Sequence, residues 1–383
     1  MSPKPVTFTE GEEVVAGGIS RRQFLWQGAA SALAVALWPL ASACDSTEVE
    51  PIVQGAEVPF LTPNDTFFVR NGAEIAIPNW AQPEITREQW AMNIEGLVPQ
   101  TLTIRFADLQ AEADAGNAVT ILKTMRCVLD SNEVQGLIGT AVWTGIPLRI
   151  FLERAGVDRT ATRRLRLLGA DGFTNNITAA RVWETPDLTE PLLVYEMNGE
   201  PLPQKNGGPV RLLLEEAFGY KNVKWLVRVE ATTSDFAYGT YQDAGFVDDG
   251  VMRVTSRMTR PIGRARVRAG LVHAAGFAVS GFAPVTAVEL SVDDGPFTPV
   301  EVIPFEEIAA AEPLVTEARQ VQEGRPFPFR AVWVKWRTDV QLAPGAHTLR
   351  LRATDAAGNV QPEADGDISD GINAVARIEV EAV

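Results

Sequence analysis

Apolar runs in the first half of the chain are short and are separated by turn residues, a pattern that predicts strands alternating with short helices. Residues 147–156 have apolar positions at helical spacing, with Pro147 at the start and Gly156 at the end, and predict a helix. A second short helix or turn is predicted over 178–183. Together these elements predict an α+β domain over residues 60–250. The predicted strands are 90–94, 102–104, 118–125, 165–168, 192–195, 210–214 and 223–231.

Apolar and polar residues alternate from about Val251 onward, which is typical of strands with one buried face. Turn sequences such as Asp293-Asp294-Gly295 and Ala357-Gly358-Asn359 separate the segments. This pattern predicts an all-β sandwich of immunoglobulin type over residues 251–383. Residues 304–328, rich in Glu and Pro, predict a long loop inside it. The predicted strands are 267–271, 276–282, 287–292, 331–336, 348–353 and 374–380.

The N-terminus predicts an export signal over residues 1–43. Arg21 and Arg22 precede an uncharged run over 24–43, as in a twin-arginine signal. That route exports folded proteins, so it suits a protein that receives its cofactor before export to the periplasm or another extracytoplasmic location. Two alternatives stay open: the run is long enough to anchor the chain in a bilayer, or Cys44 is lipidated and tethers it to a membrane. Residues 44–59 are polar and predict a linker.

Composition narrows the classes of function. A net charge of −15 makes the chain a poor candidate for nucleic-acid binding. Two cysteines and two histidines exclude a disulfide framework and nearly exclude a multi-histidine zinc or copper site. The sequence also has no cysteine-rich motif for iron–sulfur clusters or haem, so an organic or molybdenum-type cofactor is expected. Cys127, the one thiol beyond Cys44, either fills core space or becomes a thiolate ligand for a soft metal.

Several segments, taken in their order along the chain, resemble the sulfite oxidase family of molybdopterin enzymes. The resemblance runs from about Phe60 to the C-terminus, and no single segment is decisive. Their order, together with the predicted twin-arginine signal, carries the assignment. The matching segments are 67–71, 127–128, 141–148, 169–172, 195–203, 207–211, 222–226 and 349–362.

The resemblance implies a molybdenum–molybdopterin cofactor and gives roles to individual residues. Cys127 would supply the thiolate ligand to molybdenum, and Arg70 would approach the metal's oxygen groups or an anionic substrate. Arg211 and Lys224 would hold the pterin phosphate, and Asp171 would accept hydrogen bonds from the pterin. The implied catalytic residues are Cys127 and Arg70. The implied cofactor-binding residues are Phe68, Val69, Arg70, Asn71, Gly72, Asp171, Asn206, Arg211, Asn222, Val223 and Lys224.

The loop after Cys127 departs from the family's pattern. Sulfite oxidases typically follow this cysteine with Ala-Gly-Asn-Arg-Arg, in which an arginine helps to bind sulfite. Here the run is Val-Leu-Asp-Ser-Asn-Glu, with Asn132 near the arginine's place. Asp130 and Glu133 near the metal would repel a sulfite dianion. Arg126, adjacent to the ligand in a strand, is expected to point elsewhere.

Two further sites depart from the pattern. Asn206 stands where the family has a histidine, and an asparagine can donate to a phosphate or pterin oxygen but cannot titrate. The family's active-site tyrosine has no clear match, because Tyr238 and Tyr241 lie nearby while Asp243 is a candidate for the aligned position. Residues 374–377 also lack the Trp-His signature of the sulfite enzymes. We therefore expect a retained cofactor site and an altered substrate pocket.

Three functions remain open. The preferred one is an exported molybdenum oxidoreductase that moves an oxygen atom and two electrons on a small-molecule substrate, and exchanges electrons with a separate electron-transfer protein such as a cytochrome. The second is a sulfite oxidase or dehydrogenase proper, which requires a second cation beside Cys127. The third is a non-catalytic, surface-tethered binding module. The resemblance also implies a homodimer formed through the C-terminal domain.

Overall fold

The computed structural model describes residues 57–132 and 135–383. The predicted export signal, Cys44, most of the predicted linker and Glu133 lie outside the described residues. Strands dominate, and the longest helix of the described part, Phe106–Asp114, has 9 residues. The fold is therefore mostly β, with less helix than the predicted α+β class implies. No helix in the described ranges combines the length and the apolar character needed to cross a membrane.

Residues 57–254, here called the pocket region, contain two β-sheets joined by short helices. The strands are β1 (Ala91–Gly96), β2 (Leu102–Arg105), β3 (Val119–Arg126), β4 (Ile138–Pro147), β5 (Arg164–Gly169), β6 (Thr174–Thr178), β7 (Leu192–Met197), β8 (Glu200–Pro201), β9 (Arg211–Leu213) and β10 (Leu226–Thr232). The helices are α1 (Ala73–Ala76), α2 (Phe106–Asp114), α3 (Leu148–Arg154), α4 (Ala179–Trp183) and α5 (Thr240–Asp243). One sheet has the order β2-β1-β10-β5-β6. The other has the order β3-β4-β7-β8, with β9 paired to β7.

The β3–β4 hairpin positions Cys127. Strand β4 lies between β3 and β7 and is buried along most of its length, which explains its nearly continuous apolar run. Arg126, the last residue of β3, pairs with Ile138. The backbone N–H of Cys127 then donates to the carbonyl of Leu137 at 2.9 Å. Cys127 is therefore the first residue of a loop whose two ends are held by the strand ladder.

The C-terminal strands form two facing sheets, here called the sandwich. The strands are β11 (Thr255–Arg260), β12 (Ala265–Val267), β13 (Gly270–Val279), β14 (Val285–Val292), β15 (Thr298–Pro299), β16 (Glu301–Val302), β17 (Val334–Leu342), β18 (Gly345–Asp355) and β19 (Ala376–Ala382). The sheet orders are β11-β13-β17-β16 and β12-β19-β18-β14-β15. Between the sheets lies a core of its own, in which Trp336 and Leu351 are fully buried. These sheets agree with the all-β pattern of the sequence.

The segment between β16 and β17 differs from its prediction. The sequence predicts a loop inside the sandwich over 304–328, but this stretch contains short helices. Its helices are α6 (Phe305–Ala311), the 3₁₀ turn Pro313–Glu317 and α7 (Arg319–Gln322). Residues 303–333 are here called the insert. The buried apolar side chains of the insert belong to the core of the pocket region.

Hydrogen bonds to main-chain groups fix the insert on the pocket region. The Glu312 carboxylate accepts the backbone N–H groups of Phe60 and Leu61, each at 2.7 Å. The Gln320 amide pairs with both backbone groups of Leu122, at 3.2 and 2.9 Å. Gln320 thus satisfies main-chain groups of β3 in the way that a neighbouring strand would.

Candidate active site

A pocket of about 600 Å³, a volume that includes open solvent at its mouth, opens at the end of β3. Loops that precede or follow strands of both sheets of the pocket region supply its walls. The lining residues are Phe67, Phe68, Arg70, Asn71, Gly72, Met125, Cys127, Asp171, Phe173, Asn206, Arg211, Gly219, Tyr220, Asn222, Lys224 and Tyr241. Most of the residues implied by the sequence therefore meet in one place.

Two of the predicted cofactor residues do not line the pocket. The Val69 side chain is 40% exposed. Val223 is buried in the core, between the lining residues Asn222 and Lys224. The other predicted members of the two motifs, Phe68, Arg70, Asn71, Gly72, Asn222 and Lys224, do line the pocket.

Cys127 is buried at the pocket wall. Burial raises the pKa of its thiol, while the backbone N–H of Leu129 and the Arg70 guanidinium act in the opposite direction. Burial favours the neutral thiol, whereas coordination to a soft metal ion would hold it as the thiolate. Its place in the wall of a cation-lined pocket suits such a metal ligand.

Arg70 presents unused hydrogen-bond donors to this pocket. Its Nε and Nη2 atoms are buried and have no hydrogen-bond partner among the described residues. A hydrogen bond links Arg70 to the Tyr241 hydroxyl. Buried donors without a partner are costly, so these atoms fit an anionic or oxygen-rich group that enters the pocket.

Two further cations, Lys224 and Arg211, line the pocket. Lys224 Nζ donates to Asn71 Oδ1 and to the Lys205 carbonyl, both at 2.8 Å. Arg211 donates to the carbonyls of Asn206 and Asn222, both at 2.8 Å. Among the described lining residues, these two and Arg70 oppose one carboxylate, that of Asp171.

Burial shifts the pKa values of these groups. It lowers the pKa of Lys224 to about 7 and that of Arg211 to about 9. It raises the pKa of Asp171. All three shifts disfavour the charged forms, so an anion bound here would restore charge to the lysine. The donor set therefore fits a phosphate-bearing pterin, with Arg211 and Lys224 at the phosphate.

Glycines keep the pocket open at two points. A Cβ on Gly72 would lie 2.7 Å from the rings of Phe173 and Tyr241. Gly207 has φ +106°, and a Cβ there would lie 2.9 Å from Lys224 Cγ. Larger residues at either site would displace groups that line the pocket.

The sequence did not identify Tyr220 as a lining residue, and it left Tyr241 as one of three candidates for the family's tyrosine, beside Tyr238 and Asp243. The rings of Tyr220 and Tyr241 stack in the pocket wall, with centroids 4.9 Å apart and planes 10° apart. Burial raises the pKa of both hydroxyls, so both stay protonated at neutral pH. Asp243, another candidate for the tyrosine's position, is not a lining residue. Tyr220 lies two residues before the motif over 222–226, which was the available signal.

Asp130 does not face the pocket, although the sequence placed its carboxylate near the metal, where it would repel an anion. Its carboxylate is 1% exposed and does not line the pocket. Oδ2 lies 3.1 Å from Arg257 Nη2 and 3.5 Å from Arg126 Nε. Oδ1 accepts the backbone N–H of Leu137 at 3.2 Å. Two guanidinium groups therefore neutralise this carboxylate, and Arg126 points away from the pocket, as predicted.

Comparison with known proteins agrees with this geometry. The family described as "Oxidoreductase molybdopterin binding domain" matches residues 79–239, which include Cys127 and all lining residues except Tyr241 and those over 67–72. The match thus covers the part of the pocket region that carries Cys127, Arg211 and Lys224.

Among curated proteins, the chain is similar to sulfite oxidases and nitrate reductases. It is 27% identical to the mitochondrial sulfite oxidase of Drosophila melanogaster, over 79% of this chain and 56% of that protein. It is 28% identical to that of Mus musculus, over 79% and 58%. A nitrate reductase of Oryza sativa is 25% identical over 79% and 36%. The chain thus spans about half the length, or less, of these relatives.

A solved structure with the same fold is the sulfane dehydrogenase SoxCD of Paracoccus pantotrophus. The TM-score is 0.62 with 19% identity, and the alignment covers 88% of this chain and 92% of that one. The likeness extends over both the pocket region and the sandwich, since neither alone accounts for that coverage.

Proposed function

The chain belongs to the sulfite oxidase family of molybdopterin-dependent oxidoreductases, and we propose that it catalyses two-electron oxygen-atom transfer on a small substrate other than sulfite. The cofactor is molybdenum–molybdopterin. The observation that carries the proposal is the convergence of Cys127, Arg70, Arg211 and Lys224 on one pocket.

The residues divide into a cofactor side and a substrate side. Cys127 would hold the metal through its sulfur, while Arg211 and Lys224 would hold the pterin phosphate. Bound molybdopterin supplies the two-electron chemistry of oxygen-atom transfer. Arg70, with two buried donors unused, would orient an oxygen of the substrate near Cys127. The protonated hydroxyl of Tyr241, bonded to Arg70, keeps that guanidinium in place.

The charge near Cys127 favours a neutral or singly charged substrate. A sulfite enzyme needs a second cation beside Cys127, and Arg257, which is hydrogen-bonded to Asn132, is a candidate. Its terminal nitrogens are, however, engaged by Asn132 and Asp130, and it is not among the described lining residues. The two unpartnered donors of Arg70 suit one negative charge or one polarised oxygen better than a dianion.

The test is steady-state kinetics on purified, molybdenum-loaded protein beside a Cys127→Ser variant. We expect stoichiometric molybdenum and pterin in the wild type, loss of molybdenum in the variant, and weak sulfite-dependent dye reduction. Neutral sulfoxides and N-oxides, assayed with a reduced dye, test the reverse direction. Sulfite turnover with a micromolar KM would overturn the altered-substrate proposal and restore the sulfite enzyme proper.

The remaining expectations concern location and partners. We propose that residues 1–43 direct twin-arginine export, that a separate protein exchanges electrons with the site, and that the chain forms a homodimer. Cell fractionation with mass spectrometry of the mature N-terminus tests export and separates cleavage from lipidation at Cys44. Light scattering that gives a monomer mass would reject the dimer.

We also propose the immunoglobulin type for the sandwich. Strands β11, β13, β17 and β16 follow the order A-B-E-D of that fold, and β19, β18 and β14 follow G-F-C. The parallel pairing of β12 with β19 supports the proposal, because the first strand of such domains can cross between sheets. Nuclear Overhauser contacts between residues 265–267 and 380–382 would test this pairing.

A further inference from the structure

The loop that begins at Cys127 is fixed by an arginine from the sandwich. Arg257 lies on β11, where it pairs with Phe277 of β13, so its backbone is anchored in a sheet. Its Nη2 donates to Asp130 Oδ2 at 3.1 Å, and its Nη1 donates to Asn132 Oδ1 at 2.5 Å. The two acceptors lie three and five residues after Cys127 along the loop.

Asp130 also connects both ends of the loop. Its N–H donates to the Cys127 carbonyl at 3.1 Å, and its carboxylate accepts the Leu137 N–H at 3.2 Å. Its carbonyl accepts Arg126 Nη2 at 2.8 Å and Asn373 Nδ2 at 3.0 Å. Asn373, like Arg257, comes from the C-terminal part of the chain. Groups of the C-terminal part therefore hold the thiol-bearing loop together with groups of the pocket region.

The Arg257–Asp130 ion pair is buried, so water cannot replace either partner when the other is removed. The side chains of Arg257 and Asp130 are 4% and 1% exposed. Removing Arg257 would leave Asp130 Oδ2 without its hydrogen-bond donor and with only the Arg126 guanidinium, at 3.5 Å, opposite its charge, so the loop would rearrange. The planar fork of an arginine can hold two acceptors at a fixed separation, which a lysine cannot do.

We propose that Arg257 is a positioning residue of the active site: its fork sets the loop of residues 127–132 and thereby the orientation of the Cys127 sulfur. The sandwich then takes part in the catalytic site. The inference rests on the proposed function in one respect, namely that Cys127 binds molybdenum. Groups that orient a metal ligand typically change activity or metal affinity by about 10- to 100-fold when they are removed.

The test compares Arg257→Met and Arg257→Lys with wild-type holoenzyme. With rates normalised to molybdenum content, we expect kcat to fall about 10-fold or more in Arg257→Met, with KM little changed. The Mo(V) electron paramagnetic resonance spectrum, generated by chemical reduction without substrate, should shift or split, because it reports the orientation of the cysteine sulfur. Hydrogen exchange should accelerate in the peptide that covers residues 127–132.

Arg257→Lys separates position from charge. If position matters, the lysine variant keeps the charge and still shows the altered spectrum. If only charge matters, it restores the wild-type spectrum, and the positioning role is rejected. Asn132→Ala removes one of the two acceptors of the Arg257 fork. It should shift the Mo(V) spectrum in the same direction as Arg257→Met but by less. This variant replaces Arg257→Met in the test if Arg257→Met does not fold.

Arg253→Met is the matched control. Arg253 lies just before β11 and pairs with Asp249 and the Asp370 carbonyl, so its loss removes the same charge without touching the loop acceptors. A wild-type Mo(V) spectrum in Arg257→Met, or an equal change in Arg253→Met, would overturn the inference. Absence of molybdenum from the wild type would instead reject the proposed function, so the two failures are distinguishable.

Discussion

Lys224 is held in a place that disfavours its own charge. Burial lowers its pKa to about 7, and the Arg211 guanidinium acts in the same direction. In the unfolded chain the same amine has its ordinary pKa of 10.5. Between these two values the unfolded state binds more protons, so this residue makes stability rise with pH from about 7 toward 10. Below about pH 7 the lysine is charged in both states, and the full free-energy cost of burying its charge lowers stability.

Lys224→Met should therefore stabilise cofactor-free protein while it impairs cofactor retention. We expect a gain on the order of a few kcal/mol near pH 6 that fades as pH approaches 10. Thermal unfolding over a pH series, on protein made in a host that lacks the pterin, measures it. Lys335→Met controls for the substitution itself. A variant less stable at every pH would contradict the assignment.

The residues that the sequence could identify lie in short motifs around glycines and strand ends. Asp171, Arg211 and Lys224 belong to this class, because they lie in the segments that carry the family resemblance. Tyr241 does not, since which side chain of α5 faces the pocket depends on its stacking against Tyr220. Arg257 lies 125 residues from its acceptor Asn132, so only the packed structure reveals their contact.

At the scale of elements, many strand positions followed from the sequence, but β4, β6, β11 and the insert did not, and the predicted strand 267–271 spans the break between β12 and β13. A strand with one buried face shows alternating apolar and polar residues, as in the sandwich. A strand buried on both faces shows an apolar run, as in the pocket region. Helices α6 and α7 have 7 and 4 residues, too short for a helical period to stand out beside prolines. Their place depends on Glu312 and Gln320, which bond main-chain groups far away in sequence.

Glu312→Gln should weaken the attachment of the insert. One carboxylate oxygen becomes an amide N–H₂ that faces a backbone N–H donor of Phe60 or Leu61. We expect a loss of about 1–3 kcal/mol, the usual cost of leaving such a donor unpaired. Urea unfolding measures it, with the exposed Glu317→Gln as control. Equal midpoints for both variants would show that the contact contributes nothing.

At the scale of the whole molecule, the pocket region and the sandwich share buried groups. Trp333 lies 2% exposed at their junction. Its indole N–H donates to the Phe60 carbonyl at 2.9 Å, and its backbone N–H donates to Thr124 Oγ1 at 2.8 Å. On the other side its ring packs on Phe277 of β13, with centroids 4.8 Å apart. The two regions should therefore unfold together.

Trp333→Ala tests that coupling. Truncating a buried tryptophan typically costs about 3–5 kcal/mol, and the loss here should appear in both regions because the side chain contacts both. Hydrogen exchange followed in β4 and β18 under mild denaturant should accelerate to the same extent. Leu271→Ala, at a side chain that is 69% exposed, should change stability by less than about 0.5 kcal/mol. Acceleration confined to β4 or to β18 would show that the regions unfold independently, and that Arg257 and Trp333 join two otherwise separate units.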